Sequence, residues 1–181
     1  MNNASVFWFT GLSGSGKTAI SEATKLKLQL LGLNVFILDG DIVRRDLHRS
    51  LGFSKSDIKE NNKLVLDLCL KYRQEYDIIL VSIISPYKSS RSLARKKLGK
   101  EFYEIYIETD KKTLYERDTK GLYKMALNGE KDNLIGFSSS NIYEPPKNPE
   151  LKIDTGSIEL ELSVDIFYEF VVSNLKNVSN N

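Results

Sequence analysis

Near the start of the chain, GLSGSGKT (residues 11–18) stands between an apolar run and an amphipathic one, and no other feature restricts the fold as sharply. The pattern G-x-x-x-x-G-K-[ST] is that of a P-loop. Gly11, Gly14 and Gly16 let successive backbone N–H groups turn toward phosphate oxygens with no Cβ in the way. Leu12, Ser13 and Ser15 complete the loop between them. Lys17 brings a mobile positive charge to the β- and γ-phosphates, and the Thr18 hydroxyl is suited to Mg²⁺. A helix that begins near Lys17 adds the positive end of its dipole. The surroundings fit: SVFWFT reads as a buried strand, while Ile20, Ala23, Leu26 and Leu30 form a roughly helical apolar stripe. The loop is expected to hold a nucleoside triphosphate.

The rest of the chain reads as one α/β domain, 1–181, with a full core. Apolar runs recur with helical stretches between them: ASVFWFT, NVFILD, YDIILVSII, FYEIYIE and a short LKID. Such near-continuous runs suit strands covered by helices on both faces. Strand–helix–strand repetition predicts a parallel sheet with right-handed crossovers. Phe167, Phe170, Val171, Leu175 and Val178 predict a closing amphipathic helix. The tail NVSNN is expected to be disordered. Pro86, Pro145, Pro146 and Pro149 all fall outside the expected strands and helices.

Composition narrows the function classes. A net charge of +2 is too small by itself to point to nucleic acid. No apolar run is long enough to span a membrane, and MNNASVFWF lacks the basic start of a secretory leader. Cys69 is the one cysteine, which leaves no internal disulfide and fits a reducing cytoplasm. Its spacing with Val65 and Tyr72 points to helix packing. With His48 the sole imidazole, a structural zinc site is excluded.

In open α/β sheets ligands bind beyond the carboxyl ends of the strands. TGLSGSGKT, DGDIVRRD and SPYKSSR follow the first three strands and are expected to converge there. Asp39 and Asp41 flank Gly40; such carboxylates hold Mg²⁺ through water, or accept a proton from an attacking hydroxyl. Arg44, one helical turn past Asp41, suits an anion bidentately. The alternative is an Asp helix cap with a solvated Arg. A GTPase needs a base-reading Asn-Lys-x-Asp motif, which NLIGFSSS and YEPPKNPEL do not supply. A binding module without catalysis would have lost Lys17, Asp39 or Asp41, and all three are present.

Taken together, GLSGSGKT, LDGD with Arg44, LGFS, ISPY with Arg91, RDTKGLY and YEPPKNPEL resemble, in that order, the motifs of adenylylsulfate (APS) kinases, from about Val6 to Thr155. The resemblance implies a P-loop kinase fold with a five-stranded parallel core. It implies transfer of the γ-phosphate of ATP to the 3′-hydroxyl of adenosine 5′-phosphosulfate, with Mg²⁺ as cofactor. Gly11 to Thr18 would bind ATP, with Thr18 and Asp39 at the metal and Lys17 on the transferred phosphate. Asp41 would take the acceptor hydroxyl, as base or positioning group. Arg44, Asn61 and the backbone around Ile84 and Ser85 would bind the acceptor, and Phe53 would stack on its base. Ser85 matches a serine labelled a phosphoserine intermediate in the family, although in-line transfer needs only positioning and electrostatics. Arg117, Asp118, Lys120 and Gly121 would belong to a mobile lid, about 117–140, that excludes water. The implied partners are a small nucleotide and a second copy of the chain as a homodimer, with neither nucleic acid nor membrane.

The departures from the family pattern concentrate on base recognition. After LGFS the family reads Asp-Arg-x-x-Asn; here Asp57 and Asn61 are kept but Ile58 replaces the arginine. The family's Phe-Thr-Gly-Ile loop reads LIGF: Leu134 stands where a phenylalanine stacks on the other face of adenine, Gly136 is kept, and Phe137 follows. Smaller changes fall at Arg45, Asp46, His48 and Thr119. Catalytic groups kept while base contacts change is what a different nucleobase would produce. A relative of the family in bacterial capsule pathways phosphorylates the 3′-hydroxyl of cytidine diphosphoramidate, the alternative acceptor here. Ile58→Arg with Leu134→Phe is expected to shift preference toward adenylyl substrates.

Overall fold

The computed structural model describes residues 3–47, 50–138 and 141–179, with side chains described through 175. His48 therefore lies outside the described residues. Each of the five apolar runs forms a strand: β1 (Ser5–Thr10), β2 (Val35–Asp39), β3 (Ile78–Ser82), β4 (Phe102–Glu108) and β5 (Leu151–Asp154). All pair parallel, in the order β2-β3-β1-β4-β5. The helices are α1 (Lys17–Gln29), α2 (Gly40–Asp46), α3 (Lys55–Tyr72), α4 (Lys88–Leu98), α5 (Lys111–Arg117), α6 (Leu122–Leu127) and α7 (Leu160–Ser179).

Alternation along β1 splits the core into two layers, because successive side chains on a strand point to opposite faces. Val6 and Trp8 meet Val65, Leu66 and Cys69 of α3 and Ala94 and Leu98 of α4. Phe7 and Phe9 meet Ile20 and Leu28 of α1 and Val164, Phe167 and Val171 of α7. Phe170 and Leu175 join that second layer, as the helical spacing predicts; the side chain of Val178 lies outside the described residues. Cys69 is fully buried and burial pushes its thiol up, so it is a packing residue.

One expectation needs correction. Leu26 and Leu30 are 65% and 88% exposed; the buried face of α1 is Ile20, Thr24 and Leu28 instead. Polar Thr24 is buried where an apolar count looked for leucine. At the other end α7 runs to Ser179, while the side chains of NVSNN, the tail expected to be disordered, lie outside the described residues.

The sheet order determines where a ligand can sit. β1 is central, and the chain leaves its carboxyl end between those of β3 and β4, the crevice expected in open α/β sheets. Local chemistry starts the neighbouring helices there: Asp39 caps α2, Ser54 and Asp57 form a capping box on α3, and Asp110 caps α5.

Candidate active site

The P-loop connects β1 to α1 and can approach the sheet only because its first residue is glycine. A Cβ on Gly11 would lie 2.5 Å from the carbonyl oxygen of Ile107 on β4. The Lys17 ammonium is folded into the loop, donating to the carbonyls of Gly11 (2.9 Å) and Leu12 (2.7 Å) and to Ser15 Oγ (3.3 Å). Burial lowers its pKa to about 7, helped by the charge of Lys120 and opposed by Asp41 and Asp39. Two cations facing one polar cavity make a place for an anion, whose arrival would relieve both.

That cavity, of about 260 Å³, is lined by Gly14, Gly16, Lys17, Thr18, Asp39 and Asp41 together with Ser82 and Lys120. The Thr18 hydroxyl donates to Asp39 Oδ2 at 2.8 Å. The other carboxylate oxygen, Oδ1, accepts from the N–H groups of Asp41 (2.9 Å) and Ile42 (3.3 Å). Asp39 is therefore both helix cap and partner of the P-loop hydroxyl. Hard oxygen donors of this kind fit Mg²⁺. Among the described residues no group of three or more His, Cys, Asp or Glu could hold a metal by itself. An ion here would complete its shell with water and phosphate oxygens.

Two further cavities join the first at opposite ends. One, about 360 Å³, shares Gly14, Gly16, Ala19 and Thr119 with it and continues to Arg117 and the loop after β5, Thr155 to Leu160. Arg117 Nη2 is fixed there by the Thr155 carbonyl at 2.5 Å. The other, about 90 Å³, shares Gly40, Asp41, Ile83 and Ile84 with the first. It is lined also by Arg44, Phe53, Ile58, Asn61, Ser85 and Ile135. Asp41 thus stands where the central cavity meets the small one. A larger cavity of about 670 Å³ beyond β4 and β5 shares only Leu12 with the P-loop. Its carboxylates are already engaged, Glu108 by Lys152, Asp110 by Thr113 and Asp154 by Gly156 and Ser157.

The small cavity brings together most of the expected acceptor residues. Arg44 donates to the carbonyls of Leu51 (3.3 Å) and Gly52 (2.9 Å) and lies 4.7 Å from the centre of the Phe53 ring. The alternative of a solvated arginine is therefore not what forms. Ile58 is 1% exposed and packs with Tyr87 and Ile135.

Leu134, Gly136 and Phe137 do not reach this cavity. Leu134 is buried with Leu114 and Tyr123, and Phe137 packs against the same cluster, which also takes in Leu12 of the P-loop. Gly136 lines the larger cavity instead, and a Cβ there would lie 2.3 Å from Leu12 Cδ2. The neighbour Ile135, which the motif comparison passed over, is the residue that faces Phe53's cavity. A loop with positive φ at Gly136 turns adjacent side chains to different surroundings. Motif alignment does not resolve such turns.

Ser85 also departs from expectation as a catalytic residue. It is 1% exposed and has φ +42°, a costly left-handed conformation for a residue with a Cβ. Its hydroxyl accepts from Trp8 Nε1 at 3.0 Å and donates to Asn62 Oδ1 at 2.7 Å, while Arg91 holds its carbonyl at 2.6 Å. With its hydroxyl engaged inside the protein, Ser85 presents no nucleophile; it shapes the cavity floor. Asp118 likewise serves local structure, accepting from the N–H groups of Tyr123 and Lys124 at the start of α6. The segment expected to form a lid is tied to the P-loop by Tyr123, whose hydroxyl donates to the Ser13 carbonyl at 2.8 Å.

The loop after β5 joins the site as well, although no motif marks it: Thr155, Gly156 and Ser157, straight after LKID, carry the same turn chemistry as the loops after the first three strands.

Comparison with known proteins converges on one family. The adenylylsulphate kinase family model matches residues 3–154. An adenylyl-sulfate kinase of Bacillus licheniformis is 40% identical over 176 residues, spanning 97% of this chain and 88% of the relative. The structure of the Mycobacterium tuberculosis APS kinase CysC in complex with AMPPNP and APS superposes with a TM-score of 0.86 at 33% identity, covering 97% of this chain and 99% of that one. A hexameric APS kinase from Thiobacillus denitrificans matches with a TM-score of 0.65 at 27% identity, over 95% of this chain and 28% of that one.

Proposed function

This chain belongs to the adenylylsulphate kinase family, and from that premise we propose that it moves the γ-phosphate of ATP to the 3′-hydroxyl of adenosine 5′-phosphosulfate. The observation that carries the reading is the row of three joined cavities, with Lys17 and Thr18 in the middle one and Asp41 where it meets the smallest. A nucleoside fits at Arg117 and Thr155, its phosphates at the P-loop, and an acceptor at Phe53, which is the layout of an in-line displacement.

In this reading Lys17 leaves the carbonyls of Gly11 and Leu12 for the β- and γ-phosphates. It stays charged there as negative charge shifts toward the leaving oxygen. Lys120 adds a second positive group from the lid. Asp41 accepts the proton of the acceptor hydroxyl and holds its oxygen toward the γ-phosphorus. Arg44 and Phe53 hold the acceptor nucleotide, and the lid over 117–140 keeps water from competing for the phosphoryl group. Thr18 and Asp39 would hold Mg²⁺, which supplies charge neutralisation on the phosphates when bound. The whole of 1–181 acts as one kinase domain, working in the cytoplasm as a homodimer; sedimentation velocity tests the last point.

A second acceptor is favoured by one observation. Ile58, in the wall of a cavity of about 90 Å³, offers no donor to a purine and leaves Phe53 as the aromatic surface. A cytidine diphosphate derivative such as cytidine diphosphoramidate has the smaller base. Coupled assays of ADP release with adenosine 5′-phosphosulfate and the cytidine compound side by side decide between them. Turnover of neither overturns the kinase reading.

A further inference from the structure

Among the described residues, two buried side-chain atoms have no hydrogen-bond partner: Thr24 Oγ1, in the middle of α1, and Ser82 Oγ. A buried hydroxyl without a partner is destabilising, so native proteins keep few of them. Thr24 faces the core. Ser82, 3% exposed at the end of β3, lines the central cavity with Lys17, Thr18 and Asp39. Its register partners are Asp39 on β2 and Phe9 on β1. Partners across a parallel ladder project to the same face of the sheet, so Ser82 Oγ and the Asp39 carboxylate stand side by side.

What would satisfy that hydroxyl follows from its neighbours. Asp39 Oδ1 is committed to the start of α2, and Oδ2 accepts from Thr18. A Thr18 hydroxyl that gives a lone pair to a cation keeps its proton directed at Oδ2, and that carboxylate oxygen has a second lone pair for another donor. Mg²⁺ binds through few protein groups and keeps several waters, each with two protons that need acceptors. A row of Thr18, Asp39 and Ser82 supplies one candidate ligand and two adjacent acceptors.

We propose that Ser82 is a positioning residue for the hydrated Mg²⁺ that accompanies ATP, its hydroxyl accepting a hydrogen bond from a metal-bound water beside the one taken by Asp39. The inference rests on the ATP-kinase reading of this cavity and adds to it a residue that no P-loop motif contains. The hydroxyl without a partner in the protein is then satisfied when the metal and its waters arrive.

Ser82→Ala separates this role from a structural one, because it removes one oxygen and adds no volume. The melting temperature should equal or exceed that of the parent, since an unsatisfied buried group is deleted. Affinity for ATP in EDTA should be unchanged, while affinity for MgATP falls about five- to tenfold, the worth of one ordinary hydrogen bond. Mn²⁺ affinity, read by electron paramagnetic resonance with a nonhydrolysable ATP analogue, should fall by the same factor. Ser82→Thr, which keeps the hydroxyl, should restore most of the loss. Equal MgATP affinity in parent and Ser82→Ala overturns the proposal, as does equal weakening with and without metal. A parent that binds no MgATP overturns the kinase reading together with it.

Discussion

Lys120 of the lid is ion-paired with Asp41 at the start of α2, across the central cavity and 79 residues away in the chain. The two side chains remain 50% and 74% exposed, so the pair adds little stability. Its significance is positional: it brings the Lys120 ammonium to the carboxylate that borders the small cavity lined by Phe53. Asp41→Asn should lower kcat by about 10²–10⁴-fold with ATP affinity nearly unchanged, as expected for loss of a general base. Lys120→Ala should leave the melting temperature in place and lower kcat by about 10²–10³-fold, as expected for loss of a charge aimed at the transition state. Steady-state kinetics with direct ATP titration checks both, and a loss confined to ATP binding would make Asp41 a metal ligand instead.

Lys17 gives a prediction about protons. In the folded chain its pKa is lowered to about 7 from an ordinary 10.5, mainly by burial. Between those values the unfolded chain holds the proton and the folded chain does not. Stability through this group therefore rises with pH across that window and is least below about 7, where the buried amine must carry charge. Triphosphate binding restores the charge, so ATP binding at about pH 8 should take up nearly one proton. Calorimetry in two buffers of different ionisation enthalpy measures that uptake, and Lys17→Met should abolish it along with turnover. Binding without proton uptake in the parent would mean that the amine is already charged.

Ser85→Ala tests the shape role argued above. Trp8 Nε1 and Asn62 Oδ1 would each lose a buried partner, at a cost of about 1–3 kcal/mol in denaturant unfolding. The folded variant should still turn over, and intact-mass measurement of the parent during turnover should find no phosphorylated protein. A phosphorylated Ser85, or a folded but dead Ser85→Ala enzyme, would restore the covalent route.

The acceptor wall separates two adjacent residues. Leu134→Ala should cost about 2–5 kcal/mol by emptying a buried position in the lid cluster, without changing the preference between adenylyl and cytidylyl acceptors. Ile135→Phe should add a second aromatic surface facing Phe53 and favour the larger base; stacking is worth about 1–3 kcal/mol, or roughly five- to 140-fold. Ile58→Arg would bury a guanidinium in the Tyr87 cluster and should lose stability before it gains specificity. The ratio of kcat/KM for the two acceptors, read beside the melting temperature, distinguishes these outcomes.

Much of this was legible in the residues themselves. The P-loop and the five apolar runs are strong local signals, since a parallel strand covered on both faces leaves little room for polar residues. Helix faces were less so: α1 buries Thr24 and exposes Leu26 because its Ile20–Leu28 face is the one that meets the sheet and α7, which no local pattern reveals. Around the acceptor the motif indicated the loop, but the choice between Leu134 and Ile135 depends on the turn at Gly136. The ATP end of the site depends on β5 lying beside β4, a pairing between segments more than forty residues apart.

Asn141, 3% exposed, is the clasp of the site. Its side-chain amide donates to the carbonyls of Phe53 (2.9 Å) and Asn133 (3.1 Å), and its own carbonyl takes the N–H of Gly136 at 2.7 Å. Gly136 in turn touches Leu12, and Tyr123 holds Ser13, so the acceptor wall, the lid and the phosphate loop form one continuous chain of contacts. A nucleotide that shifts the P-loop is therefore expected to act on the Phe53 loop, and titrating each nucleotide in the presence of the other measures that effect. Thermodynamic linkage makes any such coupling reciprocal, with one factor for both affinities whichever nucleotide arrives first.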